Sequence, residues 1–402
     1  MKKTFFVLSI IVVAVWPCRQ NNVIAANSSD ESTVEIRFAP PHYVYVHADW
    51  CNSLTERPYY DCILHTISVV NASKKPFQID SVKIEALKAG RMIQCRVLHD
   101  KEIRSVSKPL LEQFKGDFQP FINLILWTNK VVPQSIQLTS ETNVKPKSAL
   151  IIFNTYLSFS VLPDELRISA IGRASDGKKL QAEGLLKVVQ YKNKVKHSLP
   201  LEGSWFMRGM PANGVLDHHR FGIPNEYGVD FCRMSPTGEL FKNEGKEASD
   251  YYGLGEKVLA SADGTVVAIN NSAIQKWTRF NPAEGESPQE FQKRQFEAMK
   301  DALRGSVHDW VGGNYVIIKH AEGEYSSYFH LREKSVRVKV GDNVQKGQHI
   351  GDVGNTGDSF EVHLHFQLND SPDFASGRSL PFSFENIQTQ FREPGRFVRS
   401  EK

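Results

Sequence analysis

From residue 32 to about residue 195, apolar and polar positions alternate in short runs rich in β-branched residues. "TVEIRFAP", "CILHTISVVNAS", "FQIDSVKIEAL", "SALIIFNTYLSFSVL", "ELRISAIGRA" and "EGLLKVVQY" each read as a strand, because side chains alternate faces along an extended chain. "NASKKP", "LPDE" and "SDGKK" separate them with turn residues. One helix-like stretch, "KPLLEQFKGDF", interrupts the series near residue 110. The pattern predicts an antiparallel, immunoglobulin-like β-sandwich over residues 32–195. No polar constellation in it points to catalysis, so a binding or positioning role is expected.

Residues 196–214 mix Lys, Pro and Gly and read as a linker. Residues 215–370 return to strands joined by Gly turns, and residues 371–402 read as a C-terminal extension. "KVLASADGTVVAINNS" predicts a hairpin turning at Asp263-Gly264. "ESPQEFQKRQFEAMKDALRGS" predicts a helix, with Ser287 as N-cap, Pro288 in the first turn and Glu290 completing a capping box. The expected class is therefore mainly β: an N-terminal antiparallel β-sandwich, then a C-terminal antiparallel β domain with one inserted helix.

Composition adds bounds. The 402 residues, 41% hydrophobic and 23% charged, suffice for two or three domains with their own cores. The formal net charge is +4, and Lys2 and Lys3 supply two of those charges. No basic block points to nucleic acid. "MKKTFFVLSIIVVAVW" has the basic start and short apolar run of a signal peptide, with processing expected near residue 26. The mature chain is then exported, to the periplasm or outside the cell, and keeps no membrane span. It would hold Cys51, Cys62, Cys95 and Cys232. Cys51 and Cys62 flank a turn-rich loop and are the preferred pair, although four cysteines allow three pairings.

Candidate chemistry gathers near the end. In "EVHLHFQL", His363 and His365 project from one face of a strand, roughly 6–7 Å apart, while Leu364 and Phe366 face the other way. In a chain with 13 histidines such a pair alone decides little. His330 in "YSSYFHLR" and Asp230 in "EYGVDF", just after Gly228, change the balance. A carboxylate and imidazoles from separate strands form an open N/O site suited to Zn²⁺ and a water, with an unligated His to take the water's proton.

"GVDF", "VLASADGTVVAI", "GNYVIIKHAEGEYSSYFHL", "VKVGDNVQKGQHIGDVGNTG" and "EVHLHFQL" together resemble the lysostaphin-type zinc metallopeptidases, whose members cut peptide cross-links in bacterial cell walls. The resemblance covers about residues 215–370 in the correct order and leaves the sandwich outside. It implies a metalloendopeptidase acting on peptidoglycan, with Asp230 and His365 as zinc ligands. It makes His330 and His363 the non-ligand histidines that activate the water and stabilise the oxyanion.

One position departs from the family's pattern. The family places a His four residues before the aspartate, where this chain has Glu226. Glu226 as ligand would make the metal a weaker Lewis acid. His219, or His218, in "LDHHRFG" is the alternative donor. Without a third donor the domain would be a catalytically inactive member of the fold, acting as a cell-wall-binding or hydrolase-activating protein. The sandwich could meet a protein partner or wall polymer, or cover the groove. Cys232 is expected to be a buried spectator thiol, and His320 structural. "VKVGDNVQKGQHIGDVG" also resembles the hairpins of biotinyl or lipoyl carriers, but Lys346 lies in the wrong turn for one.

Overall fold

A computed structural model describes residues 33–49, 59–113, 119–208, 217–245, 247–274, 283, 285–387 and 397–400. The signal-peptide reading of residues 1–26 and the Cys51 half of the preferred disulfide lie outside them. Among the described residues, no helix is long and apolar enough to cross a membrane.

The N-terminal domain contains β1 (Val34–Ala39), β2 (Tyr43–Tyr45), β3 (His47–Asp49), β4 (Tyr59–Asn71), β5 (Phe77–Lys88), β6 (Arg91–Leu98), β7 (Gln137–Thr139), β8 (Asn143–Val144), β9 (Ser148–Phe159), β10 (Glu165–Ala174) and β11 (Lys179–Val189). Between β6 and β7 lie helices α1 (Asp100–Gln113), α2 (Gln119–Leu126) and α3 (Thr128–Val131). One sheet runs β1-β4-β9-β7, with β3 also on β4; the other runs β2-β11-β10-β5-β6, with β8 on β5. Most pairs are antiparallel, as the sequence predicts; β7 runs parallel to β9 and β2 parallel to β11.

The two sheets close on one core, in which Ile67 and Ile152 meet Ile84 and Ile168. The other face of the first sheet is covered as well. Val70, Ile151 and Phe153 pack there with Leu126 of α2, Trp127 and Val131 of α3. Burial on both faces explains why β4 reads as a nearly continuous apolar run rather than an alternating one. It also buries the polar side chains Asp61 and His65 of that strand.

The C-terminal domain contains β12 (Ser204–Met207), β13 (Val229–Cys232), β14 (Lys257–Leu259), β15 (Gly264–Asn270), β16 (Asn314–Ala321), β17 (Glu324–Leu331), β18 (Asn343–Val344), β19 (His349–Asp352), β20 (Leu364–Asn369), β21 (Ser379–Leu380) and β22 (Phe397–Arg399). The described sheet runs β18-β15-β16-β17-β20-β13-β12-β22, with β21 also on β20. This places β20 between β17 and β13.

The expected hairpin at Asp263-Gly264 is not formed. β14 pairs with β19 in a separate ribbon, whereas β15 pairs with β16 and β18. The core draws the two flanking strands to different partners. The inserted helix is present as α4 (Pro288–Arg304), followed by α5 (Val307–Gly312). The Ser287 Oγ accepts from the Glu290 N–H at 3.3 Å, and the Glu290 carboxylate accepts from the Ser287 N–H at 2.9 Å.

Much of the expected linker is built into this domain. Leu199, Leu201, Trp205 and Met207 are buried in its core, and β12 pairs with β13 and β22. Residues 209–216 lie outside the described set. The expected C-terminal extension likewise supplies β21, β22 and the buried Phe384. The domains also touch. The Tyr227 hydroxyl donates to the Tyr45 carbonyl at 3.2 Å, and the Arg378 guanidinium lies 4.1 Å from the Tyr45 ring centroid.

Candidate functional site

Strand register assembles the first half of the site. Asp230 of β13 and Phe329 of β17 are both direct register partners of His365 on β20. Directly opposed residues share a face, so the carboxylate, imidazole and aromatic ring line up across three strands. Leu364 and Phe366 point to the other side and are fully buried in the core. Phe329 stacks on His365 with centroids 5.5 Å apart and an interplanar angle of 12°.

His330 follows Phe329, so simple alternation would send it into the core beside Tyr328. Its φ of 63° breaks that alternation. Its ring instead lies 4.6 Å from that of His363 and 6.0 Å from that of His365.

His219 arrives from a different direction, on a single 3-10 turn, His218–Phe221. Its Nε2 is 3.4 Å from Asp230 Oδ1, and His365 Nδ1 is 3.0 Å from the same oxygen. His219, Asp230 and His365 each offer one donor atom, all within 4.8 Å of one another. Donors around a tetrahedral zinc with bonds of ~2.0–2.2 Å stand roughly 3.3–3.6 Å apart, so the two contacts to Asp230 are close to the spacing a zinc ion requires. Gly228 is needed for it. A Cβ there would lie 2.6 Å from His365 Cε1 and 3.1 Å from His219 Cδ2.

The hydrogen-bond partners fix which imidazole nitrogen is available. His365 Nε2 donates to Gln367 Oε1 at 2.8 Å, which leaves Nδ1 bare toward Asp230. Gln367 is positioned in turn by donating to the Pro224 carbonyl at 3.2 Å. His330 Nδ1 donates to the Thr356 carbonyl at 2.8 Å, and His363 Nδ1 to the Glu361 carbonyl at 2.9 Å. In both, the neutral ring keeps Nε2 unprotonated. Asp217 Oδ1 accepts from the His219 backbone N–H and lies 2.9 Å from its Nδ1, although that second contact is poorly aligned. Carboxylates and carbonyls behind metal-bound imidazoles characteristically set tautomer and orientation in this way.

Charge is matched to a cation. Burial pushes the Asp230 carboxyl up, but the facing His219 and His363 outweigh it and hold it well below the usual range. Burial depresses His219, yet Asp230 and Asp217 outweigh that and raise it to about 10, so this position strongly favours positive charge. Burial and the neighbouring His363 and His365 keep His330 neutral. Burial also lowers His365, against the pull of Asp230. The cleft in front holds about 480 Å³ and is bordered by Arg208, Asn225, Phe329, Phe360 and Glu361.

Glu226 does not face this cleft. It is fully buried on the far side of the turn, 3.6 Å from the Arg220 guanidinium and 4.0 Å from His65 Nε2. The four-residue spacing puts it near Asp230 in sequence, but the turn through Asn225 and Gly228 directs its side chain into the contact with the N-terminal domain. His218 sits at the rim, 71% exposed, with Nε2 3.6 Å from Asp230 Oδ2. Cys232 is buried with Sγ 3.6 Å from Glu361 Oε1, and burial pushes its thiol up to about 12. His320 hydrogen-bonds the Asp263 carbonyl and Ser326 Oγ, each at 2.7 Å, and His308 stacks on Tyr315. Both lie apart from the cluster. Asp217 and Gln367 were not singled out from sequence, although Gln367, two residues after His365, shares its strand face.

Residues 302–375 match Peptidase family M23. The C-terminal region thus carries a Peptidase family M23 match over these residues. The chain is 42% identical over 60 residues to the cell division protein DipM of Caulobacter vibrioides, covering 15% of this chain and 10% of that protein. It is 45% identical over 56 residues to the peptidoglycan DD-endopeptidase ShyA of Vibrio cholerae, covering 14% of this chain and 13% of that one. The match thus spans only about a tenth of the length of these relatives. The catalytic domain of lysostaphin from Staphylococcus simulans aligns at 23% identity over 44% of this chain and 88% of its own, with a TM-score of 0.24.

Proposed function

We propose that this M23 domain is a zinc-dependent endopeptidase that hydrolyses peptide bonds in peptidoglycan. The observation that carries the reading is the convergence of His219 Nε2, Asp230 and His365 Nδ1, with two further imidazoles beside them whose Nε2 atoms are free to handle protons. His219 offers a donor atom where Glu226 faces away, which supports the enzymatic reading over the catalytically inactive one. ShyA, by its name a peptidoglycan endopeptidase, supports the substrate class. Export and a periplasmic or extracellular site of action belong to the same proposal.

His219, Asp230 and His365 would hold the zinc. When bound, it supplies a Lewis acid that brings the pKa of a water toward neutrality. The chain's own residues do the rest. The His330–His363 pair takes the water's proton on Nε2, because each Nδ1–H is committed to a carbonyl. His363 Nε2 lies 3.4 Å from Asp230 Oδ1, so a proton held there faces negative charge. The protonated member then donates from Nε2 to the developing oxyanion and finally to the leaving amine nitrogen. Phe329 and the buried strands behind it exclude water from the back of the site.

The test is digestion of purified peptidoglycan sacculi by the exported form of the chain. New amino termini should appear with zinc, vanish with a chelator and return when zinc is restored. Undiminished digestion by a metal-free His365→Ala protein would overturn the mechanism.

A further inference from the structure

We propose that the N-terminal sandwich is part of the framework of the metal centre: β4, through Asp61 and His65, grips Arg220 and so holds the adjacent His219 in ligating position. This rests on His219, Asp230 and His365 being the metal ligands.

Two of these ligands need no outside help. Asp230 and His365 are register partners on neighbouring strands, fixed by the sheet that carries them. His219 belongs to no strand. The 3-10 turn that presents it spans four residues, too short to fix itself. Its anchor is the next residue, whose side chain leaves the turn on the side away from the cleft.

The Arg220 side chain is fully buried against the sandwich, and its guanidinium donates to Asp61 Oδ1 at 2.7 Å. Its carbonyl accepts from His65 Nε2 at 3.1 Å. Asp61 and His65 stand four residues apart on β4 and therefore on one face of it. Burial, together with the Arg220 charge, lowers His65 to about 3, so the ring stays neutral and it is Nε2–H that donates to the Arg220 carbonyl. Three residues after Arg220, the Ile223 N–H donates to the Ile125 carbonyl at 2.8 Å, and the Ile223 side chain joins the cluster on the outer face of the first sheet. The Asn154 amide reaches the Phe221 carbonyl at 3.5 Å. Each of these partners belongs to the N-terminal domain.

A buried ion pair is weak evidence for stability, because desolvating both charges offsets most of their attraction; its better-attested use is to fix one arrangement. Here the arrangement fixed is the one that aims His219 at Asp230. Arg220 and Asp61 are thus positioning residues. They act on the ligand set through the backbone of the turn and touch neither metal nor substrate.

The test uses the full chain, zinc affinity by chelator competition, and the visible spectrum of the cobalt(II)-substituted protein. Asp61→Asn and Arg220→Met should weaken zinc binding roughly 10–100-fold, the range expected when a group supporting a ligand is lost. Both should also alter the cobalt spectrum. Ile168→Ala, in the sandwich core away from this contact, should lower the melting temperature and leave affinity and spectrum as in wild type. If the charge variants do not fold, His65→Phe removes only the donor to the Arg220 carbonyl and should weaken binding in the same direction. Folded Asp61→Asn protein with wild-type affinity and spectrum overturns the inference, as does equal weakening by Ile168→Ala. A wild-type chain that takes up no zinc overturns the ligand reading as well, whereas wild-type binding matched by all variants overturns this inference alone.

Discussion

Replacing Glu226 by glutamine separates the two places this residue could belong. The side chain is fully buried. Burial raises its carboxyl from the usual 4.5 to about 7, against the opposing pull of Arg220 and Arg378. A raised acid means that the folded state holds more protons than the unfolded state between those two values. Stability from this group is therefore fully present below about pH 4.5 and is lost as pH rises through about 7. At ~1.4 kcal/mol per pH decade, the whole effect is about 3 kcal/mol, of which about 2–3 kcal/mol falls between pH 5 and pH 8. Glutamine keeps the shape and cannot ionise. Glu226→Gln should match wild type within about 1 kcal/mol at pH 5 and exceed it by about 2–3 kcal/mol at pH 8, read from urea unfolding followed by fluorescence. Other titrating groups cancel in the wild-type-minus-variant difference. Zinc affinity should change less than about threefold, since the carboxylate faces Arg220 rather than the cleft. A pH-independent difference, or a hundredfold loss of zinc, would refute the reasoning.

Other consequences are equally concrete. His330→Ala and His363→Ala should each retain zinc and lose roughly 10²–10⁴-fold in turnover, measured as release of peptide amines from sacculi. Loss of metal in either would move that residue into the ligand set. Gly228→Ala should weaken zinc binding at least about tenfold by chelator competition, because its Cβ would press on His365 and His219 together. An unchanged affinity would show that the turn yields.

The legible part of the site was the part written on strands. Period-two alternation puts His363 and His365 on one face, and the same rule extends to Gln367, which now sets the His365 tautomer. Asp230 was found because it stands in a short motif on β13. His330 was placed by resemblance, since its left-handed φ overrides the alternation that would bury it in the core. The choice between Glu226 and His219 as third donor stays open in the sequence for a physical reason. His219 lies 11 residues before Asp230 on a turn whose anchors, Asp61 and His65, are more than 150 residues away. Local spacing therefore favoured Glu226, and only tertiary contacts exchange the two. The Asp263-Gly264 hairpin is absent for a related reason: the partners of the flanking strands are chosen by distant core packing, not by the local dipeptide.

Anomalous diffraction from zinc-replete crystals, collected on both sides of the zinc absorption edge, addresses the central claim most directly. One strong peak is expected within bonding distance of His219, Asp230 and His365, with Glu226 remote and facing Arg220. A peak held by Glu226 in place of His219, or no ordered zinc at this cluster, would contradict that claim.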